Sequence, residues 1–335
     1  MKNSKLSSRQ DFDAGGGVGT NAGTGAVETA GDGSNAKVVS IPPCAVLLVD
    51  KPAGITSHDV VDRIRRLTGI RKVGHAGTLD PFATGLLLIL VGKATRLSDY
   101  FTPLDKEYRV TVQFGAASTT GDVDGVITPV APPTPVTEEA LRETLPGFTG
   151  KMRQQAHAYS AVKVGGEALY RKARRGETVK APVRDIEVHR LELESFDGEK
   201  QQAVLSVACS KGTYIRQLCE DIAAALGTAA YAAILRRTRV GEFGVDRAAS
   251  LEKLGSMPRE SLLAESNPSF ISALGALYFL PVRDVDEKDA RAVTAGRAIS
   301  GEESGPVRLA ADGRLLAIYR PGDDPGQLRP LVVLA

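Results

Sequence analysis

Six consecutive apolar residues, 86–91 (LLLILV), constrain the fold of this chain more than any other feature. A run of this length beside glycine and charged residues is typical of a strand that is buried on both faces. It is far too short to cross a bilayer. At 335 residues with 42% hydrophobic content, the chain is long enough for one large domain and a small one.

Strands and helices around this run follow no strict alternation. In the segment 107–115 (EYRVTVQFG), Tyr108, Val110, Val112 and Phe114 alternate with polar residues, which predicts a half-buried strand. Such mixing favours an α+β fold with a mixed or antiparallel sheet over a doubly wound one. Further strands are predicted at 45–49, 183–196, 203–209 and 234–245, and helices at 59–69, 94–101, 137–145 and 213–227.

Composition divides the chain into four parts. Residues 1–43 are rich in Gly, Ala, Ser and Thr, with too little hydrocarbon to offset chain entropy, so we predict a disordered extension. Residues 44–251 form the main domain, and residues 252–281 are predicted to be a linker with helical pieces. The segment 282–335 is typical of a small β-rich domain.

Basic residues are concentrated in one stretch, although the net charge of the chain is only +2. Residues 151–180 hold eight basic and two acidic residues, with Tyr159 and Tyr170 interleaved. This pattern suits loop or single-stranded RNA, although a solvated basic surface explains it equally well. Arg236, Arg237 and Arg239 are predicted to add a second basic patch.

Three cysteines and four histidines offer no metal-ligand spacing, so no metal site is predicted. Asp122 and Asp124 precede a glycine as in a calcium loop, but the later ligands are missing and a polar turn accounts for them. The first residues lack the apolar stretch of a signal peptide, and we expect a cytoplasmic protein. A monomer is expected as well.

A single acidic residue, Asp80, stands in the loop GHAGTLDPFATG (74–85) at the mouth of the buried strand. An aspartate before a proline in a glycine-rich loop commonly forms a turn or a cap, and the local pattern does not distinguish that role from a catalytic one.

Four motifs together resemble one family. GHAGTLDPFATGLLLILVGKATRL, KEYRVTVQFG, YSAVKVGG with LYRKARRGE, and CSKGTYIRQLCEDI occur in the order and spacing of bacterial tRNA pseudouridine-55 synthases of the TruB type. The resemblance covers residues 45–251 and is weaker, to a PUA-type RNA-binding domain, at 284–335. It implies an isomerase that flips a uridine out of the tRNA T loop, cuts its glycosidic bond and rejoins the base through C5. It also implies an RNA-gripping insertion at about 151–182 and no metal, nucleotide or redox cofactor.

Catalytic roles follow from the same resemblance. It implies that Asp80 is the catalytic carboxylate (the nucleophile) and that Arg216 pairs with it. It also implies that Tyr108 stacks on the target base and is a candidate for late proton abstraction. From the residues alone, Arg216 could equally be an exposed arginine at a helix start, and Tyr108 a core residue.

Substrate contacts are implied in the same way. Tyr214 and Leu235 match residues that touch the flipped nucleotide, and His75 matches the histidine that holds the distorted T loop. Lys51 is expected to position the active-site loops. The expected partners are therefore the T stem-loop of tRNA and no membrane. The candidates for contacts to the RNA backbone are Lys163, Arg171, Lys172, Arg174 and Arg175.

One departure from the family pattern precedes YSAVK, where Ala156 and His157 stand in place of an expected proline pair. Their presence is expected to loosen the entry to the insertion. Two other functions stay open: an RNA-binding or RNA-folding protein in which Asp80 is structural, and phosphoryl transfer through an aspartyl-phosphate. No acidic metal-binding cluster in the sequence supports the latter.

Overall fold

The computed structural model describes residues 44–131, 135–157, 163–169, 172, 175, 177 and 181–334. The extension predicted at 1–43 lies outside the described residues. No helix in the described residues is both long enough and apolar enough to span a membrane.

Fifteen strands are described before residue 273, and eleven of them form one mixed sheet. The main path of this sheet runs β14-β1-β3-β12-β4-β11-β10-β7, with β2, β13 and β15 attached at its sides. The strands are β1 Cys44–Lys51, β2 Val73–His75, β3 Thr84–Gly92, β4 Lys106–Phe114, β5 Ala116–Ser118, β6 Ile127–Pro129, β7 Gly150–Gln155, β8 Lys163–Val164, β9 Glu167–Ala168, β10 Val183–Asp197, β11 Gln202–Cys209, β12 Ala230–Val240, β13 Phe243–Gly244, β14 Ala249–Ser250 and β15 Phe270–Ser272.

Strand β3 confirms the prediction from its apolar run. Leu86, Leu88 and Leu90 face one core cluster, whereas Leu87, Ile89 and Val91 face another. All six side chains are at most 1% exposed. Successive side chains of a strand point to opposite faces of the sheet, and both faces are covered here. Every position of this run therefore requires an apolar side chain.

Helices cover the sheet, and their ends follow local signals. Thr56 caps α1 through a capping box with Asp59, and Gly69 ends the helix with a positive φ of 67°. The Thr137 hydroxyl caps α3 by accepting a hydrogen bond from Ala140 N. The helices before residue 280 are α1 Ser57–Thr68, α2 Ser98–Phe101, α3 Glu138–Thr144, α4 Ile215–Ala225, α5 Leu251–Ser256 and α6 Ala273–Ala276.

The segment 252–281, predicted as a linker, is packed into the main domain in the structure. Phe270–Ser272 pairs antiparallel with β1, and Leu254 and Leu277 are completely buried. A sequence without long periodic elements gave no sign of this packing, because the contacts are made by short pieces against a distant strand.

The last part of the chain is the β-rich domain that the sequence predicts. Its five strands pair in the order β16-β18-β19-β20-β17, and Leu315 and Ile318 pack into the same core cluster as Leu88 of β3. The α+β prediction with a β-rich C-terminal domain is thus confirmed. The elements are β16 Val282–Asp284, α7 Glu287–Thr294, β17 Ile299–Ser300, β18 Val307–Ala311, β19 Arg314–Pro321 and β20 Gln327–Val333.

Three elements bring the predicted site residues together. β12 runs parallel to the start of β3 and antiparallel to β4, so that Arg237 lies opposite Gly85 on one side and Tyr108 on the other. A Cβ atom at Gly85 would lie 2.2 Å from the carbonyl oxygen of Arg237, and its φ is +103°. Only glycine permits this approach of two strands directly after the Asp80 loop.

Candidate active site

A cleft of about 720 Å³ opens where the Asp80 loop, the strands β4 and β12 and the first turn of α4 meet. Five of the residues predicted from the sequence line it: Asp80, Tyr108, Tyr214, Arg216 and Leu235. They come from four separate segments of the chain, and the fold brings all of them to one wall.

Asp80 and Arg216 form an ion pair in this cleft. Arg216 Nε lies 2.9 Å from Asp80 Oδ2, and the arginine side chain is 4% exposed against 35% for the aspartate. The guanidinium is therefore buried behind a carboxylate that still reaches the cleft. A cation near a helix N-terminus is unfavourable by itself, so the carboxylates around Arg216 explain its position.

The loop around Asp80 is fixed on both sides. The Ser57 hydroxyl accepts a hydrogen bond from Leu79 N at 2.9 Å and donates one to Leu79 O at 3.1 Å. On the other side, Lys51 Nζ donates to Pro81 O at 3.1 Å and to two further carbonyl groups. Lys51 therefore contacts the Asp80 loop directly, whereas Ser57 was considered from the sequence only as a helix cap.

Asp122 is the residue that sequence reasoning missed. It is 4% exposed, and its Oδ2 lies 3.1 Å from Arg216 Nη1, which also donates to Thr120 O at 2.6 Å. Thr120 Oγ1 and Asp124 N donate to its second oxygen, Oδ1. The predicted turn is present, but Arg216, the cation that pairs with Asp122, is 94 residues away in sequence. No local pattern indicates this pairing.

Electrostatics at Asp80 are a balance of opposing effects. Burial raises the pKa of its carboxyl above the usual value, Arg216 opposes that shift, and the Asp122 carboxylate adds to it. Lys51 responds in the opposite sense: burial lowers the pKa of its ammonium to about 8, although Asp80 counteracts part of that shift. A carboxylate held in this way is weakly hydrated and keeps its charge largely through Arg216.

Tyr108 and Arg237 form the floor of the cleft. Arg237 is 1% exposed and donates to Leu86 O at 2.7 Å, to Gly77 O at 3.0 Å and to Thr78 O at 3.4 Å. Burial raises the pKa of the Tyr108 phenol, and the Arg237 charge partly counteracts it. The ring of Tyr108 therefore faces the cleft as a neutral aromatic surface.

The prediction that the arginines of β12 form a second basic patch is wrong. Arg237 is buried, Arg236 forms two bonds to the Asp50 carboxylate at 2.7 and 3.1 Å, and Arg239 Nε lies 3.6 Å from Glu107 Oε1. Local sequence showed three cations in four residues, but Arg237 points into the core, and a register shift in β12 separates it from the exposed Arg239. Arg236 and Arg239 are each paired with a carboxylate.

Other predicted contacts lie around the cleft. His75 is on β2, where burial lowers the pKa of its imidazole, and its Nδ1 is buried with no hydrogen-bond partner among the described residues. Leu235 is 5% exposed on β12, and the Gln154 side-chain amide bonds both backbone groups of Tyr214, at 2.8 and 3.1 Å.

The candidates for backbone contacts are only partly described. Arg175 is exposed and paired with Glu167 and Glu177 at 2.6 and 2.7 Å, so its charge is already compensated. Lys172 is half-buried. Arg171, Arg174 and the side chain of Lys163 lie outside the described residues. In the described part of the chain, no three His, Cys, Asp or Glu side chains come close enough together to hold a metal ion.

Comparison with known proteins places the chain in a family. The model "TruB family pseudouridylate synthase (N terminal domain)" matches residues 65–215, and models of "tRNA pseudouridylate synthase B C-terminal domain" and "tRNA Pseudouridine synthase II, C terminal" match residues 216–269 and 280–335. Among curated relatives, tRNA pseudouridine synthase B of Thermobifida fusca (strain YX) is 43% identical, over 87% of this chain and 98% of the relative. The protein of the same name from Mycobacterium sp. (strain KMS) is 40% identical, over 86% and 95%.

Solved structures agree on the fold. A chain in "Structure of H/ACA RNP bound to a substrate RNA containing 2'-deoxyuridine" aligns with a TM-score of 0.65 at 23% identity, over 87% of this chain and 85% of that one. The archaeal box H/ACA Nop10-Cbf5 complex gives 0.64 at 23% identity, over 87% and 86%. The resemblance drawn from the four motifs is confirmed: this chain belongs to the TruB family of pseudouridylate synthases.

Proposed function

We propose that this chain isomerises uridine to pseudouridine at position 55, in the T loop of tRNA, and that the Asp80 carboxylate acts on the flipped nucleotide. One observation carries the proposal: the carboxylate is presented to a cleft of nucleotide size while a buried guanidinium holds it from behind. The tRNA substrate is supported by the name shared by relatives that are about 40% identical over nearly their whole length.

The reaction conserves atoms and electrons. The bond from the sugar C1′ to the base N1 breaks, the base turns, and a bond from C1′ to C5 forms. C5 loses a proton and N1 gains one, so no oxidant or reductant is consumed. Chemistry at these atoms requires the uridine to leave its stack, because inside a stem-loop they are covered by neighbouring bases.

Arg216 has the role of keeping Asp80 charged and aimed. The buried carboxyl would otherwise hold its proton to higher pH, and a neutral acid is neither a nucleophile nor a base. Because Arg216 is itself held by Asp122 and by the carbonyl group of Thr120, the carboxylate is oriented before any RNA arrives.

Tyr108 is assigned a stacking role. Its ring lines the cleft and is suited to cover a uracil face. Leu235 is opposite Val110 on the adjacent strand and extends the same apolar wall. Together with Tyr214 at the start of α4, these side chains give the flipped base a dry enclosure.

The RNA around the flipped uridine is assigned to residues at the rim. His75 is assigned to holding the distorted T loop on the strength of its place in the family motif, through a part of the ring other than the buried Nδ1. Lys172 and the basic insertion of about 151–182 supply phosphate contacts, with Lys163, Arg171 and Arg174 as further candidates. The domain at 282–335 is proposed to bind RNA as a PUA-like module, in a monomeric cytoplasmic enzyme.

Tritium release from tRNA that carries 5-³H-uridine tests this proposal, because C5 loses its hydrogen only when the base is rejoined. Asp80→Asn is expected to lower the rate at least about 10⁴-fold while tRNA binding is retained. The matched control is Asp124→Asn, an exposed acid of the same size two residues from Asp122, which is expected to leave the rate unchanged.

Mapping the product to a position completes the test. Pseudouridine in the T loop supports the proposal, and modification elsewhere contradicts the substrate assignment. Tight tRNA binding without release by the wild-type protein would instead make this chain an RNA-binding or RNA-folding protein.

A further inference from the structure

We propose that His157 is a positioning residue for the reaction, whose imidazole Nδ1 holds the Arg216 guanidinium against Asp80. The inference rests on the proposed function and adds one residue to its machinery. It concerns a feature in which this chain departs from its family pattern, because the motif resemblance predicts a proline where His157 stands.

The imidazole lies inside the ion cluster of Asp80, Arg216 and Asp122. His157 is 5% exposed, and its Nδ1 is 3.4 Å from Arg216 Nη1. On the opposite side of the ring, Nε2 is 3.7 Å from Glu220 Oε1. The guanidinium can only donate hydrogen bonds, so Nδ1 is the acceptor and the ring proton is assigned to Nε2, on the side of the carboxylate.

The backbone opposite leaves space for this ring and no more. A Cβ atom at Gly121 would lie 2.9 Å from His157 Nε2 and equally close to Glu220 Oε1, and 3.3 Å from Arg216 Cβ. Gly121 has a φ of +69°, which glycine adopts without cost. The turn that carries Asp122 therefore closes over the imidazole and prevents it from swinging away from the guanidinium.

His157 follows a residue at the base of the insertion, so its contact with Arg216 links the insertion to the ion pair. Its neighbour Ala156 donates from its backbone to Pro182 O at 2.9 Å, which closes the base of the insertion. Ala156 also packs with Leu169, Ala181 and Tyr214 in a small apolar cluster. His157 is thus fixed at the point where the insertion leaves the sheet, and its imidazole in turn contacts Arg216, which pairs with Asp80.

A held guanidinium matters because an arginine side chain has many rotamers and loses much entropy when it is fixed. Thr120 O and Asp122 Oδ2 accept hydrogen bonds from the same nitrogen, Nη1, from the side of the 119–124 turn. Nη1 carries two N–H groups, so His157 Nδ1, at 3.4 Å on the insertion side, shares one of them and helps to fix the guanidinium plane and hence the direction of the Nε bond to Asp80.

Replacing the ring by an apolar group and by a polar mimic tests the role. His157→Leu keeps the bulk and removes the acceptor, whereas His157→Asn places an amide oxygen near the position of Nδ1. With enzyme in excess over tRNA, the single-turnover rate of tritium release is expected to fall about tenfold in His157→Leu. It is expected to stay within about threefold of wild type in His157→Asn, with the tRNA Kd unchanged in both.

Controls separate positioning from folding and from the proposed function. His189→Leu removes an exposed histidine that lies beside Asp105, and its rate is expected to equal that of wild type. Thermal midpoints set a temperature at which all variants are folded. If His157→Leu does not fold, His157→Gln replaces it, because its amide reaches the Nε2 position and is expected to be slow as well.

Three results would overturn the role of His157: a wild-type rate in His157→Leu, an equal loss in His157→Leu and His157→Asn, or a loss confined to the tRNA Kd. None of these touches the proposed function, which is decided by release from wild type and its absence in Asp80→Asn.

Discussion

Arg216 and Arg237 are two buried arginines on the same cleft, and their partners differ in kind. Arg216 is compensated by the carboxylates of Asp80 and Asp122, whereas Arg237 donates to three backbone carbonyl oxygens. The first pairing joins the guanidinium to a carboxylate that faces the cleft. The second joins it to backbone carbonyl groups of the Asp80 loop and of β3. The same side chain thus pairs with carboxylates in one place and holds the backbone in the other.

The largest expected effect is on catalysis at Arg216. Arg216→Met leaves Asp80 and Asp122 buried without their cation, so the carboxylate takes up a proton and loses its orientation. Single-turnover tritium release should slow by about 10²–10³-fold at pH 7. Arg216→Lys restores the charge without the planar fork and should recover only part of the rate. A near-normal rate in Arg216→Met would show that the ion pair has no part in the reaction.

Arg237→Met should act mainly on stability. Its loss leaves the carbonyl groups of Gly77, Thr78 and Leu86 without their donor inside the core, and each such group costs about 1–3 kcal/mol. We expect the free energy of unfolding to fall by about 3–5 kcal/mol in chemical denaturation. Well below the melting temperature, the variant should keep more activity than Arg216→Met. The reverse ranking would break the distinction between the two arginines.

The smallest effect is a shift in the pH profile. Activity requires ionised Asp80, so the rate falls as the pH drops through the pKa of this group. Arg216 lowers that pKa against the effect of burial. The acid limb should therefore move to higher pH in Arg216→Met.

Arg237→Lys supplies the matched control for this profile. Arg237 is not among the groups that shift the pKa of Asp80, so its acid limb should coincide with that of wild type. A limb that moved equally in both variants would mean that the shift reflects loosened structure rather than the lost ion pair.

Local sequence signals predicted most of the fold. The apolar run of β3, the alternation along β4 and the caps at Thr56 and Gly69 each depend on near neighbours, so a pattern within a dozen residues is sufficient. The pairing of β15 with β1 joins segments more than 200 residues apart and left no such pattern.

The contacts within the site were harder to predict from local sequence patterns. The role of Asp80 and the partnership with Arg216 came from the family motifs, since the loop by itself is equally typical of a turn. Asp122 was interpreted only as part of a polar turn and Ser57 only as a possible cap, because the further atoms that they bind lie 94 and 22 residues away in sequence. Arg237 looked like a surface charge for the same reason.

The anchoring of the Asp80 loop by Ser57 and Lys51 has a consequence for how the partners share the work of recognition. A loop fastened to a helix on one side and to a strand on the other has little freedom to adapt. Under the proposed function, the rearrangement that brings a uridine to Asp80 would then come from the RNA, whose bases unstack at an energetic cost. The ease with which a tRNA arm unstacks would then contribute to its selection.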